Sequence, residues 1–204
     1  MANPIPDSVK VIFGLDLSLT ATGYCVCAAD SPEFTILDLQ TVKTSPLDGG
    51  TFTRIQKIVH GLENAGAFKP HTVFTAIEDL AFGFAGAFLI LCELGGVIRY
   101  EHFRRGMDWV DISPPTGKKH ATGKGNTQKN MIPMLVGQKY ATELLQAGFQ
   151  IKDDNQADAI SMCHLGWLLY RHSHNLVIRP EVSKDTLSTL KKLSEKVVIP
   201  KKPV

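Results

Sequence analysis

The chain has 204 residues, 44% of them hydrophobic, and a formal net charge of +2 at pH 7. That length suits one α/β domain with a short appendage, and a core of that size needs no staples. The near-balanced charge excludes a globally basic nucleic-acid coat, so any DNA footprint must come from local clustering. The N-terminal MANPIPDSVK lacks the apolar region of a signal peptide. The apolar run at 160–170 is broken by Cys163, His164 and Gly166 and is too short to span a bilayer. Cys25, Cys27, Cys92 and Cys163 lack the paired spacing of a zinc site. Reduced, mostly buried thiols and a cytoplasmic location are expected.

In chain order, residues 9–18 read as a buried strand, 23–29 as a second and 34–42 as an alternating third. Asp30-Ser31-Pro32 forms the turn between the last two. Ile55, Ile58, Val59 and Leu62 give 51–65 a helical period. Residues 72–78 form a strand ending in acid, 82–84 a loop, 85–104 a long apolar helix and 107–112 another strand. Residues 113–126, rich in turn formers and lysine, read as a loop. Helices are expected over 127–136 and 139–146, with Pro133 disturbing the join. Residues 155–172 form a last core helix through Ala159, Ile160, Met162, Cys163, Leu165 and Leu168. The chain then divides into a domain over 1–174 and a basic tail over 175–204, the tail carrying one short helix within 185–197. This β-β-β-α-β-α-β-α-α order predicts an α/β fold, a mixed five-stranded sheet flanked by helices, of RNase H-like layout.

Three places put carboxylates where such sheets carry chemistry. Asp16 lies inside an apolar strand, where a charge is costly unless paired or bound to metal. Glu78 closes the run Val73-Phe-Thr-Ala-Ile-Glu78. Asp153, Asp154 and Asp158 open the last helix, with Asp154 and Asp158 on one face. An oxygen-rich set of this kind suits Mg²⁺ or Mn²⁺. Two ions roughly 3.5–4 Å apart can activate water and stabilise the leaving oxygen in phosphodiester cleavage. Singly, each residue has a plainer explanation. Asp153 and Asp154 suit helix capping, and Glu78 suits a salt bridge at a strand end. Asp16 is the hardest to explain that way, because strand interiors disfavour Asp.

Four segments resemble the RuvC-type Holliday-junction resolvases, especially those of phages. They are Phe13-Gly-Leu-Asp-Leu-Ser-Leu-Thr-Ala-Thr-Gly-Tyr24, Ala76-Ile-Glu78, the Lys118–Lys129 segment with its Gly-Lys-Gly-Asn, and Asn155-Gln-Ala-Asp-Ala159. The first alone is weak, since sugar-kinase and actin-like folds begin alike. The third followed by the fourth is more specific. The resemblance implies a metal-dependent endonuclease with two Mg²⁺ or Mn²⁺ per site, cutting four-way and related branched DNA to 5′-phosphate and 3′-hydroxyl ends. It assigns Asp16, Glu78, Asp154 and Asp158 as ligands, Asp16 bridging, with Asp153 as a substitute for Asp154. Lys118 and Lys129 would sit near the scissile phosphate, making six catalytic residues in all. Lys119 and Lys124 would join Lys118 and Lys129 on DNA, and Gly117, Gly123 and Gly125 would let backbone approach a phosphate. Phe82 and Phe84 would stack on bases at the junction centre or pack in the core; base stacking is worth roughly 1–3 kcal/mol. The helix over 85–104 would build a two-fold homodimer, unless it is simply buried. If phage-encoded, the protein would act in the cytoplasm of a bacterial host. The competing readings are a related nuclease of flaps and forks and a catalytically silent branched-DNA-binding protein. A phosphotransferase fragment is discounted, because Leu17-Ser-Leu-Thr-Ala-Thr22 lacks a phosphate-binding glycine loop.

Overall fold

The structure, a computed structural model, describes residues 5–80 and 85–200. Phe82 and Phe84 lie outside the described residues. Strands β1 (Val11–Asp16), β2 (Ala21–Ala28) and β3 (Ile36–Lys43) are followed by α1 (Thr51–Ala65), β4 (Thr72–Glu78), α2 (Ala85–Arg105) and β5 (Trp109–Ile112). Helices α3 (Pro114–Thr122), α4 (Ile132–Lys139), α5 (Ala141–Ala147), α6 (Asp154–Ser173) and α7 (Lys184–Ser194) complete the chain.

The five strands form one mixed sheet in the order β3-β2-β1-β4-β5. The meander β1-β2-β3 is antiparallel, while β4 and β5 join in parallel. Alternation along each strand sends side chains to opposite faces. On one face Val11, Phe13 and Leu15 meet Ile58 and Leu62 of α1 and Leu94 and Ile98 of α2. On the other, Ile12, Phe74 and Ala76 meet Ile160, Cys163 and Trp167 of α6. Each such fully buried aliphatic or aromatic side chain contributes about 1.5–3 kcal/mol.

Helix α6 lies unusually close to the sheet. A Cβ on Gly14 would stand 2.1 Å from the Cys163 nitrogen, and one on Gly23 would stand 2.2 Å from the Asn155 carbonyl oxygen. The two glycines therefore set the height of the helix that carries Asp158.

The segment 113–126 departs from the loop expected of it. Most of it is helix α3, started by Pro114 and Pro115, whose fixed φ suits a first turn. Gly123 ends it in the left-handed region at φ 80°. Gly117, expected to face a phosphate, is buried inside α3 against the Met162 methyl. Pro133 likewise starts α4 rather than disturbing a join. Past residue 174, α7 buries Leu190 and Leu193 in the cluster beneath α6. Val198 then exchanges backbone hydrogen bonds of 2.8 and 3.2 Å with Trp109 on the outer edge of β5. Among the described residues no helix is long and apolar enough to cross a membrane.

Candidate active site

The sheet itself brings the first two carboxylates together. Leu15 and Ile77 are the last registered partners of the parallel β1–β4 ladder, so Asp16 and Glu78 follow at neighbouring strand ends. Both have the parity of Ile12 and Ala76 and so point to the α6 face. Their carboxyl groups lie within hydrogen-bonding reach of each other. Asp158, one turn into α6, completes the group from above.

The electrostatics report a crowded anionic site. Burial, then the charge of Glu78 and a hydrogen bond with it, then the charge of Asp158, push the Asp16 carboxyl well above the usual range. Burial and Glu78 push Asp158 up to about 7, against the pull of Lys118 and Lys129. Such a group asks for positive charge. Lys129, in the turn before α4, partly supplies it, pairing with Asp154 at 2.8 Å and lowering the pKa of that carboxyl. Lys118 acts on Asp158 from α3.

Asp153 serves differently. It is the N-cap of α6, accepting from the Gln156 N–H at 3.0 Å. Thr41 of β3 donates its hydroxyl to the same carboxylate at 3.0 Å, and Lys43 stands 3.8 Å away. The sequence carries no sign of this anchor, because Thr41 and Asp153 are 112 residues apart. Lys119 and Lys124 are exposed at the end of α3 and just beyond it.

As they stand, no three His, Cys, Asp or Glu side chains among the described residues are arranged to hold a metal ion. Asp16 is turned to Glu78, and Asp154 to Lys129. The donor set nonetheless fits a hard divalent cation in chemistry. It is all carboxylate oxygen, with mutual repulsion that Lys129 and Lys118 do not cancel. Mixed sheet, carboxylates at the ends of β1 and β4, and a third on the closing helix define an RNase H-like nuclease.

Comparison with known proteins agrees. The family model described as "Crossover junction endodeoxyribonuclease RuvC" matches residues 12–164. A protein of that name from Gloeobacter violaceus is 29% identical over 158 residues, covering 76% of this chain and 87% of its own. One from a Sulfurovum species is 27% identical over 160 residues, covering 76% and 94%. In structure, T. thermophilus RuvC in complex with a Holliday junction substrate superposes with a TM-score of 0.58 at 22% identity, over 76% of this chain and 90% of that one. The yeast mitochondrial Holliday junction resolvase gives 0.51 at 14%, over 94% and 88%. The chain belongs to the RuvC family of crossover junction endodeoxyribonucleases, and so to the divalent-metal-dependent nucleases.

Proposed function

We propose that this protein is a homodimeric Holliday-junction resolvase that nicks paired strands of a four-way junction by hydrolysis with two Mg²⁺ or Mn²⁺ ions per site. Asp16, Glu78, Asp154 and Asp158 would hold the ions. When bound, the ions supply positive charge to the attacking and leaving oxygens of the phosphodiester. The observation that carries this reading is the convergence of Asp16 and Glu78 from adjacent strand ends beneath Asp158.

The chain's own groups do the rest. Asp16, buried beside Glu78, is screened from bulk water, and a cation beside it would favour its charged form. Lys129 and Lys118 bring ammonium groups to the edge of the carboxylates, where a scissile phosphate would be oriented and its charge stabilised. Lys119 and Lys124 would contact the adjoining backbone.

Dimerisation is supported by the two faces of α2. Leu94 and Ile98 are buried, while Leu89, Tyr100 and Phe103, on the opposite side, remain 63%, 61% and 53% exposed. An apolar stripe of this kind suits a two-fold interface, and a dyad matches a four-way junction. We further place the protein in the cytoplasm of a bacterial cell, in keeping with free cysteines at 25, 27, 92 and 163.

A nicking assay tests the reading, using a synthetic four-way junction, a fork, a flap and linear duplex, with Mg²⁺ or Mn²⁺ and Asp16→Asn as control. The resolvase should cut the junction preferentially and symmetrically. Equal cutting of linear duplex refutes it, and tight junction binding without cutting favours a silent binding protein.

A further inference from the structure

The family match ends at residue 164, so α7 lies beyond it. With Leu190 and Leu193 committed to the core, α7 and the residues after it leave Lys192 and Lys196 lining a cleft of about 530 Å³. The opposite wall is Lys119 of α3 and Lys139 at the end of α4. Four lysines thus line one space, with Asp185 the one carboxylate among its lining residues. None of the four forms an ion pair among the described residues. Lys139 is partly stripped of water, which pushes it down to about 8, and it donates to the His120 carbonyl. Thr116 and Thr186 add hydroxyls to the walls. Unneutralised cations gathered with hydroxyl donors suit a phosphate ligand.

The cleft's position points to the source of the phosphate. Lys118 acts on Asp158, while the next residue, Lys119, lines the cleft. Successive helical residues diverge by about 100°, so α3 alone offers one cation to the carboxylates and another to the cleft behind it. We propose that the cleft between α3 and α7 binds backbone phosphates of the DNA arm leaving the carboxylate cluster, so that the arm is gripped on both sides of α3. This rests on the DNA-cleaving reading above. It assigns Lys139, Lys192 and Lys196 to the DNA interface, with no base specificity, because only phosphate is contacted.

The test compares Lys192→Ala/Lys196→Ala with Lys184→Ala/Lys191→Ala, which removes the same charge from α7 outside the cleft. Binding of a long-armed four-way junction and of linear duplex is measured on metal-free protein across a salt series. The cleft variant should bind both DNAs about tenfold more weakly, with a log–log salt slope shallower by about 1–2. It should cut at an unchanged rate under saturating DNA, with a raised KM. Arms trimmed to a few base pairs should erase the difference from wild type. Wild-type affinity in the cleft variant, or an equal loss in the control pair, overturns the proposal. So does inorganic phosphate that fills the cleft, followed through the lysine side-chain NMR signals, without weakening DNA binding. Failure of the resolvase reading shows separately, as wild-type protein that binds DNA but does not cut junctions. Wild type that binds no DNA at all overturns both.

Discussion

Lys129 holds Asp154 in an ion pair of 2.8 Å, while Asp153 next to it caps α6. Two adjacent aspartates thus have separable roles. Asp154→Asn should lower junction cutting about 10²-fold or more, the scale for losing one group that stabilises transition-state charge, with little change in Tm. Asp153→Asn can still accept from the Gln156 N–H and should cut within a few-fold of wild type. Asp153→Ala should cost about 1 kcal/mol of stability as a lost cap. Single-turnover nicking and thermal melts on the three variants decide it, and the opposite ranking of the two Asn variants would transfer the ligand role to Asp153.

Asp16→Asn should abolish cutting and yet stabilise the metal-free protein. Asp16 is buried beside Glu78 and Asp158, and an amide removes the cost of holding a third carboxyl there, which the charge of Lys129 offsets only in part. About 1 kcal/mol of relief would raise Tm by roughly 2–4 °C in a chain of this size. Calorimetry in EDTA checks this, and a lower Tm would mean that the carboxylate is structurally required.

His102 gives a pH dependence of definite sign. Its ring is fully buried between the Ile98 carbonyl and the Thr75 hydroxyl, and burial pushes its pKa down to about 4. The unfolded chain, with His near 6.5, therefore binds the proton first as pH falls. The neutral ring's contribution is intact above about 6.5 and is lost progressively down to about 4, on the order of 3 kcal/mol in all. Asp158, whose pKa is raised, works in the opposite direction over an overlapping range. The quantity to measure is thus the stability difference between wild type and His102→Asn, in which other groups cancel. A difference that does not shrink on acidification would contradict the assignment.

Gly14→Ala should be among the most damaging small changes in the molecule. The new methyl would meet the α6 backbone at 2.1 Å, where no flexible side chain can yield. Overpacking typically costs about 1–3 kcal/mol, and lifting α6 also carries Asp158 away from Asp16. Urea melts should show the loss of stability. Cutting by the fraction that remains folded should fall further than that loss explains, and unaltered cutting would show that the height of α6 is not critical.

The exposed stripe of α2 predicts assembly state. Phe103→Asp should convert the dimer to monomer in sedimentation runs, with Tm falling only by what association contributes, because Phe103 is half-exposed in the single chain. A variant that stays dimeric would place the interface elsewhere.

The acidic centre was legible because its clues are local. Asp16 lies in an apolar strand and Glu78 ends another, while their meeting needed the β1–β4 register. The antiparallel meander and the mixed character of the sheet were legible too, but not the strand order. Helix α3 was not legible, because prolines at its start and glycine at its end are also the vocabulary of turns, and Gly117 hides a packing role against Met162. The choice of Asp154 over Asp153 rested on the resemblance, because both residues open the last helix and either suits a cap. Thr41 was invisible, since its contact exists only once β3 lies beside α6.

The hydrogen bonds between Val198 and Trp109 have a practical meaning for anyone trimming this protein. They occupy the outward-facing edge of β5, which would otherwise be free to recruit a strand from another molecule. Ending an expression clone at residue 174 would bare that edge and the floor under Leu190 and Leu193 together, and should give material prone to self-association. A clone carried through residue 200 should stay dispersed.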